Sequence, residues 1–461
     1  MSTGPEIAIV GSGPSGFFAA EAILKSDARP RVHMFERLPT PFGLVRSGVA
    51  PDHQQIKQVA KVFDKISKHV DFSFFGNVEI GRDITLAALR ARYDAVVLAY
   101  GASWGAPLAV PGANLPQSLT ATAFIGWYNG HPDFAGLTPS FDHETAIVVG
   151  HGNVAIDIAR ILLSGHARLA KTDIADHALE ALRHSRIRNV RLVGRRGPAQ
   201  AAFTSAELRE LLAMPDVRVV IDPAALQFDA AESAFLDLPA NAAVKRNVAL
   251  LQDALARPAG DTSKDLHVDF LASPLAIEGS ARVDAVRFGR NRLQGPPGGK
   301  TCVPSGDEFS IPAGLSIASI GFRGRPLDGV PFDGRRGIVP NFEGRVDGKV
   351  AVGVAPLYVA GWIKRGANGV IGTNRADAVE TARSLMADLQ AGLWPVKTDA
   401  ERVALSMKQD RIDFAGWKLI DEAECRAGCE AGRPRRKMVD IKAMLETAGG
   451  TDFAGKRVTT G

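Results

Sequence analysis

The sequence predicts an α/β protein with two parallel-sheet domains, the second inserted into the first. Two short β-branched runs, at residues 7–10 and 146–149, each lead into a glycine-rich loop and then into an apolar helical pattern. A third glycine-rich turn follows an apolar run at residues 357–360, far down the chain. The chain is therefore expected to leave its first domain and to return to it.

The expected domain boundaries follow from these turns. The first domain takes residues 1–106, the inserted domain takes 107–322, and the first domain resumes over 323–461 with a C-terminal helical extension. Residues 222–307 are rich in Ala, Pro and Gly, and we expect them to form a peripheral excursion of β hairpins.

The first glycine-rich loop, GSGPSG, has the pattern of a dinucleotide-binding turn in a Rossmann-like domain. Gly11 would allow a tight turn, Gly13 would let the backbone approach a pyrophosphate, and a helix with free N–H groups would follow Gly16. Glu36 lies 20 residues past Gly16 at the end of the predicted strand 31–35, where its carboxylate could accept ribose hydroxyls. This loop predicts an unphosphorylated adenosine ribose, as in FAD or NAD.

The second loop, GHGNVA, has the same pattern with Gly150 and Gly152. Its following strand, at residues 189–193, ends in Gly-Arg-Arg and has no carboxylate at its tip. Paired guanidinium groups on Arg195 and Arg196 suit a ribose 2′-phosphate, because arginine offers bidentate donors to phosphate oxygens. The second ligand is therefore predicted to be NADP(H); a solvated turn is the alternative for the arginine pair.

The third turn, GWIKRGANGVI at residues 361–371, precedes a predicted helix at 375–390. In a flavin-binding fold, the N-terminus of that helix would face the pyrimidine end of the isoalloxazine and stabilise negative charge there. The alternative is an ordinary βα turn with glycines for packing.

Cysteine usage argues against two redox classes. Cys302, Cys425 and Cys429 are the three cysteines, and no two of them form a C-x-x-C pair. A dithiol disulfide reductase is therefore not expected, nor is an iron–sulfur cluster bound by this chain, which normally needs four ligands. No metal site is predicted, and electrons should leave to an external acceptor or a small substrate.

The net charge and the hydropathy of the chain limit which classes of partner and which location are expected. With 55 basic and 50 acidic residues the formal charge is +5, which is too mild for a nucleic-acid binder. Lys245 with Arg246, and the basic cluster at residues 433–437, are candidate patches for an acidic protein partner; scattered solubilising charge is the alternative. No apolar run is long enough for a membrane span, and a cytoplasmic protein without a targeting segment is expected.

Five stretches resemble the adrenodoxin reductase family of ferredoxin–NADP reductases, including its bacterial, mycobacterial-type members. They are PFGLVRSGVAPDH (41–53), FIGWYNG (124–130), GHGNVAIDIARILL (150–163), LVGRRGPAQAAFTSAELREL (192–211) and GWIKRGANGVIGT (361–373). The resemblance covers almost the whole chain. It implies a glutathione-reductase-like arrangement, with a discontinuous FAD domain and an inserted NADP domain.

By position, the resemblance implies two cofactor sites. The FAD site would comprise Gly11, Gly13, Ser15, Gly16, Glu36, Leu44, Ile80, Trp362, Gly369, Val370 and Ile371. The NADP site would comprise Gly150, His151, Gly152, Asn153, Val154, Arg195, Arg196, Glu207 and Gly369. His151 stands where many members have Gln, and Ser15 where many have Ala; neither departure touches the reaction type.

Two polar residues are candidates for a role beside the flavin. Asp157 shares a helical stripe with apolar side chains, so its carboxylate needs a partner. His53 is the candidate partner, and the resemblance places both residues near the flavin. The hypothesis is a polar network that couples proton movement to electron transfer; a purely structural buried hydrogen bond is the alternative.

The resemblance implies an FAD-dependent NADPH:ferredoxin oxidoreductase. Hydride would pass from NADPH to flavin N5, and single electrons would then pass to a small acidic 2Fe–2S ferredoxin. A flavodoxin is a second candidate acceptor, and a cytochrome P450 is a candidate downstream consumer. Two other readings stay open: a flavin monooxygenase or NADPH oxidase, and an electron-relay subunit of a larger complex, which would normally carry a cysteine-rich cluster segment.

Overall fold

The computed structural model describes residues 4–257, 262–346, 354–394 and 396–449. The chain separates into two compact units: one takes residues up to 104, 129–135 and those from 322 onward, and the other takes 105–128 and 136–321. The sequence had placed residues 129–135 in the middle domain, whereas this segment groups with the first unit. Among the described residues, no helix is both long enough and apolar enough to cross a membrane.

The strands are numbered in chain order over the described residues. They are β1 (Glu6–Val10), β2 (Arg31–Phe35), β3 (Phe72–Phe75), β4 (Ala95–Leu98), β5 (Trp104–Gly105), β6 (Ser118–Thr120), β7 (Thr145–Val149), β8 (Asn189–Val193), β9 (Val217–Val220), β10 (Lys264–Asp269), β11 (Ala272–Glu278), β12 (Ala285–Gln294), β13 (Thr301–Pro312), β14 (Leu315–Ala318), β15 (Phe322–Arg323), β16 (Asn341–Phe342), β17 (Arg345–Val346) and β18 (Leu357–Val359).

The α-helices are numbered in the same way. They are α1 (Pro14–Leu24), α2 (Leu44–Ser47), α3 (Gln54–Lys57), α4 (Ala60–Ile66), α5 (Leu86–Arg92), α6 (Ala121–Tyr128), α7 (Asn153–Leu163), α8 (His166–Leu169), α9 (Asp176–Arg183), α10 (Ser205–Leu212), α11 (Ala230–Leu236), α12 (Ala242–Leu255), α13 (Trp362–Arg365), α14 (Ile371–Gln390), α15 (Phe414–Glu430) and α16 (Ile441–Thr447). Short 3₁₀ helices lie at Pro132–Phe134, Pro198–Gln200, Pro223–Leu226, Pro239–Asn241 and Asp399–Glu401.

The first unit is built on a seven-stranded sheet in the order β16-β17-β18-β4-β1-β2-β3. Strands β18, β4, β1, β2 and β3 are parallel, and β16 and β17 form an antiparallel edge. Every residue of β1 is buried, as expected for a strand covered on both faces. The strand order reverses at β1, which has β2 on one side and β4 on the other. In open α/β sheets, ligands bind beyond the carboxyl ends of the strands at such a point.

The C-terminal helices belong to this first unit. Trp417 of α15 and Met444 of α16 share one apolar cluster with Phe17 of α1 and Leu385 of α14. Glu424 of α15 is fully buried and accepts both Nη atoms of Arg46, at 2.5 and 2.8 Å. The tail therefore packs against the segment that follows the first glycine-rich loop in the sequence.

The second unit is built on a six-stranded sheet in the order β6-β14-β7-β8-β10-β9. All its paired strands run parallel, and the order again reverses, here at β7 between β8 and β14. A separate three-stranded antiparallel sheet, β11-β12-β13, completes the unit. The two units thus repeat one topological feature: the strand before the glycine-rich loop, β1 or β7, is the strand at which the order reverses.

The prediction for residues 222–307 is only partly right. An antiparallel sheet does form there, but the segment also contains α11 and α12, and β10 is an interior strand of the main sheet. Helix α12 buries Val248, Leu251 and Ala254, which recur at three-residue spacing on one face. The alanine-rich composition that suggested an irregular excursion instead favours helix.

Candidate functional site

The first glycine-rich loop begins at the carboxyl end of β1. The Gly11 N–H donates to the Phe35 carbonyl at 2.8 Å, so β2 continues to hold the chain as it turns. Gly11 has φ of +106°, and a Cβ there would lie 2.5 Å from the Ala99 carbonyl oxygen beyond β4. A side chain at Gly16 would overlap the Gly11 carbonyl oxygen in the same way. Glycine is therefore required at both positions for the loop to close.

The second loop repeats this construction at the carboxyl end of β7. The Gly150 N–H donates to the Val193 carbonyl at 2.8 Å. Gly150 has φ of +137°, and a Cβ there would overlap the Ser319 carbonyl oxygen. The third position is Ala155, which is fully buried. Strands β1 and β7 thus end in the same tight backbone turn.

The middle glycine of each loop faces open space. A Cβ on Gly13 or on Gly152 would meet no heavy atom within 4 Å. Both residues are extended N-caps, of α1 and α7 respectively, and no side chain caps either helix. Backbone N–H groups at these helix starts can therefore bind an anionic group that approaches the glycine. The residues present fit a dinucleotide pyrophosphate at each loop.

Glu36 stands at the tip of β2, beside the first loop. Its Oε2 accepts the Ser12 N–H at 3.1 Å and the Ser12 hydroxyl at 2.7 Å, and its Oε1 accepts the Leu38 N–H at 3.1 Å. The carboxylate also lines a cavity with Thr40, Gly43 and residues 130–132. It is thus oriented by the backbone and faces the cavity with remaining acceptor capacity.

Arg195 and Arg196 stand at the equivalent tip, after β8, and both are exposed. Over the described residues, neither guanidinium has an intramolecular ion pair or hydrogen bond. Gly194, just before them, must be glycine because the ring of His151 occupies the space that a Cβ would need. Two available cations therefore project from the strand tip where the first unit has a carboxylate.

The imidazole of His151 is placed inside the unit and not toward a ligand. Its Nε2 lies 3.1 Å from the Leu192 carbonyl oxygen, so this nitrogen is the donor, and the ring packs edge-on against Phe270. Burial lowers the pKa of His151 to about 4, so the ring is neutral at physiological pH. His151 can contribute to a cofactor site through its backbone only.

The third turn packs onto the first loop within the first unit. A Cβ at Gly361, which has φ of +80°, would overlap the side chain of Ser15. The Gly361 N–H donates to the carboxylate of Asp377, which also pairs with Lys364 at 3.0 Å. The sequence reasoning did not single out Asp377, which is one of two buried carboxylates on α14, the other being Asp388.

The remaining residues of the predicted FAD site divide into exposed and buried ones. Leu44 and Val370 are 38% and 62% exposed although both are apolar. Trp362 is half-buried, and its indole N–H donates a hydrogen bond to the Asn368 carbonyl. Gly369 has φ of +79°, and Ile371 begins α14. Ile80, by contrast, lies in the apolar cluster under the sheet. Exposed apolar groups around a helix start are what a planar aromatic ligand would cover.

The remaining residues of the predicted NADP site lie on two helices. Val154 follows Asn153 at the start of α7, and the Asn153 side-chain oxygen accepts the Thr204 N–H at 2.8 Å. Glu207 is in the first turn of α10. Asn153 thus ties the start of α7 to the residue that precedes α10.

Asp157 belongs to the second unit and His53 to the first. Asp157 pairs at 2.5 Å with Arg160, whose side chain is fully buried. The expectation that this carboxylate needs a partner is thus met in part by a residue one helical turn away. His53 precedes α3 at the end of the segment that resembles the family.

The basic cluster at residues 433–437 is largely internal. Arg433 and Lys437 are buried, and Arg435 pairs with Asp421 at 2.7 Å and with Glu424 at 2.8 Å. Lys245, in the other candidate patch, pairs with Asp237 at 2.7 Å on the surface. Most of the cluster's charge is therefore buried or ion-paired within the tail, whereas Arg436 is exposed.

Comparison with known proteins places the chain in a family. The model for pyridine nucleotide-disulphide oxidoreductases matches residues 5–236. NADPH-ferredoxin reductase FprA of Mycobacterium tuberculosis is 44% identical over 455 residues, which cover 95% of this chain and 98% of that protein. This chain belongs to the adrenodoxin reductase family of NADPH:ferredoxin reductases. The human mitochondrial NADPH:adrenodoxin oxidoreductase of this family is 41% identical over 96% of the chain and 92% of its own length.

The family relationship extends to the fold. A solved structure of Mycobacterium tuberculosis FprA in complex with NADPH superposes with a TM-score of 0.89 at 42% identity. The match covers 97% of this chain and all of that one. The predicted fold class, two Rossmann-like domains in an α/β protein, is confirmed.

Alanine at the two kinds of glycine should have opposite effects. Gly13→Ala and Gly152→Ala should leave the thermal unfolding midpoint close to the parent, because a Cβ meets nothing there. Each should nonetheless weaken its own dinucleotide by roughly tenfold or more, since the methyl group occupies the pyrophosphate's approach. Flavin retention on gel filtration and NADP(H) titration measure the two losses.

The matched controls are Gly11→Ala and Gly150→Ala. Each places a Cβ against a carbonyl oxygen in a left-handed conformation, so each should lower the unfolding midpoint as well as binding. Equal loss of stability in all four variants would contradict a ligand-facing role for Gly13 and Gly152.

Proposed function

We propose that this protein is an FAD-dependent NADPH:ferredoxin oxidoreductase. The observation that carries the proposal is the contrast between two otherwise equivalent loops. Both are open to a pyrophosphate at their middle glycine, but one has a carboxylate at the neighbouring strand tip and the other has two available guanidinium groups. A carboxylate suits ribose hydroxyls and an arginine pair suits a ribose 2′-phosphate, which assigns FAD to the first unit and NADP(H) to the second.

The relatives support the same activity. They are named NADPH-ferredoxin reductase and NADPH:adrenodoxin oxidoreductase, and one is solved with NADPH bound. A ferredoxin-type protein is therefore the acceptor that we assign to this chain. A flavodoxin acceptor, a downstream cytochrome P450 and a cytoplasmic location stay predictions.

The residues of the chain bind and orient the cofactors. FAD, when bound, accepts a hydride from NADPH and returns electrons singly, which matches a two-electron donor to a one-electron acceptor. Gly13 and the start of α1 would bind its pyrophosphate, and Glu36 would accept its ribose hydroxyls. The exposed apolar side chains of Leu44 and Val370, with Trp362, would cover the ring system. Positioning is the main contribution expected of the protein, because hydride transfer needs no protein acid or base.

The arginine pair provides coenzyme selectivity. Replacing Arg195 and Arg196 together by Ala should weaken the use of NADPH far more than that of NADH, since charge-assisted hydrogen bonds to phosphate are worth roughly 1.5–3 kcal/mol each. Steady-state kcat/KM for both coenzymes, with ferricyanide as acceptor, measures the difference. Equal losses for NADPH and NADH would mean that the 2′-phosphate binds elsewhere.

Anaerobic stopped-flow kinetics test the activity itself. NADPH should bleach the flavin absorbance of the holoenzyme faster than NADH does, and an oxidised 2Fe–2S ferredoxin should restore it rapidly. Bleaching without reoxidation by ferredoxin would contradict the proposed acceptor. Turnover of an organic substrate through a stable flavin hydroperoxide would instead favour a monooxygenase.

We also propose that His53 and Asp157 belong to a polar network beside the flavin. Asp157 is held by the buried Arg160, which fixes its orientation on α7. His53→Ala should then change the pH dependence of flavin reduction or of acceptor reduction. Unchanged kinetics of both half-reactions across pH 6–9, in a variant that retains its flavin, would favour a purely structural role.

A further inference from the structure

The turn that carries Arg195 and Arg196 is held by the antiparallel sheet of its own unit. Its first carbonyl, that of Gly194, accepts the Ala272 N–H at 3.1 Å, and its last, that of Arg196, accepts the Leu271 N–H at 3.2 Å. Both donors come from the start of β11. The ends of the turn are thus fixed by backbone alone.

The middle carbonyl, that of Arg195, is held by two side chains. Asn291 of β12 donates through Nδ2 at 3.0 Å, and Cys302 of β13 donates through its thiol at 3.0 Å. Burial raises the pKa of the Cys302 thiol, so it stays protonated and able to donate. Three consecutive carbonyl oxygens therefore face the sheet, while the two guanidinium groups on the same turn are exposed.

The side chain of Asn291 is held in the orientation that this hydrogen bond requires. It is 8% exposed, and its Nδ2 also donates to the Ser273 hydroxyl at 2.9 Å, which uses both amide hydrogens. Its backbone N–H donates to the Leu271 carbonyl at 2.7 Å. The register of β12 with β13 shifts between Gly289 and Asn291, and such irregularities re-aim a side chain. Since a carbonyl can only accept, the amide orientation is determined by its partners.

The orientation of the Arg195 carbonyl affects how an anion would bind at the arginine pair. If the Arg195 carbonyl lost its donors, its oxygen could rotate toward the ligand and oppose a phosphate, and the turn would become mobile. Two donors keep that oxygen directed away and pre-organise the two long side chains above it. The effect should be felt only by a coenzyme that carries the 2′-phosphate.

We propose that Asn291 is a positioning residue that sets selectivity for the 2′-phosphate, with Cys302 as a second donor to the same carbonyl. This inference rests on the proposed function, because it takes the arginine pair as the phosphate site. Asn291 acts through the turn and touches no cofactor in this account.

The test compares NADPH and NADH in the flavin-loaded holoenzyme with ferricyanide as acceptor. Asn291→Ala should raise KM for NADPH by about tenfold, because it removes a hydrogen bond to a buried carbonyl and lets the turn become less ordered. KM for NADH and kcat with both coenzymes should stay within about twofold of the parent. The matched control is Asn241→Ala, which removes a hydrogen bond of the same kind, from the Asn241 amide to the Phe235 carbonyl. This variant should change KM for neither NADPH nor NADH.

A double-mutant cycle separates this inference from the function on which it rests. In the Arg195→Ala/Arg196→Ala background, Asn291→Ala should have no further effect on KM for NADPH. If the double-arginine replacement weakens the use of NADPH and NADH equally, the phosphate site is wrongly assigned. If that replacement weakens NADPH selectively but Asn291→Ala affects NADPH and NADH equally, or neither, the role of Asn291 is refuted.

Cys302 provides a second test should Asn291→Ala fold poorly. Cys302→Ser retains a donor and should keep the parent's NADPH-to-NADH ratio of KM values. Cys302→Ala removes the donor and should shift that ratio in the same direction as Asn291→Ala, by a smaller factor. Identical ratios in the Ser and Ala variants would contradict the two-donor account.

Discussion

Both sites depend on one constraint, the close approach of main chain to main chain at the carboxyl ends of β1 and β7. At Gly11 the obstacle is the Ala99 carbonyl and at Gly150 it is the Ser319 carbonyl. Each glycine must turn immediately and with positive φ, so the next helix starts directly above the point where strand order reverses. The crevice, the helix N-terminus and the missing side chain at Gly13 and Gly152 all follow from that turn.

On the proposed assignment, selectivity between the two sites depends on one short segment, the tip of β2 in the first unit and of β8 in the second. In the first unit, Glu36 accepts the N–H and O–H groups of Ser12 and the N–H of Leu38, and its carboxylate would oppose a phosphate at this position. In the second unit, Arg195 and Arg196 occupy the equivalent place and have no acidic partner over the described chain. On the proposed assignment, the same backbone would accept a ribose with free hydroxyls in one unit and a phosphorylated ribose in the other.

Local sequence signals predicted most of this arrangement, and long-range contacts account for what they missed. Strands β2 and β8 have the predicted bounds because short segments with alternating apolar residues between turns can be recognised from local sequence. Helix α12 was missed because alanine-rich composition was weighed above its three-residue apolar spacing. The partner of Asp157 could have been found, since Arg160 follows it by one helical turn. The pairing of Arg46 with Glu424 could not, because 378 residues separate them.

That long-range pair explains how a strained segment persists beside the first loop. Phe42 has φ of +82°, a conformation that costs a non-glycine residue about 1–3 kcal/mol. Its ring lies 5.5 Å from that of Phe17 and 5.6 Å from that of Trp417, so the strain is offset by packing from both ends of the chain.

The buried charges of Glu424 and its arginine partners also hold the segment that contains Phe42. Burial alone would raise the pKa of Glu424, but Arg46 and Arg435 together hold it below its usual range, so the carboxylate stays ionised and the pair stays closed. Arg46 lies in α2, and this helix begins directly after Gly43. The backbone of Gly43 approaches that of Gly13. A distant tail therefore stabilises the conformation that brings the segment at 41–47 over the pyrophosphate loop. Strain at Phe42 is tolerated because the surrounding structure holds the segment on both sides: the Phe42 ring packs against Phe17 and Trp417, and the buried ion pair holds Arg46 four residues later.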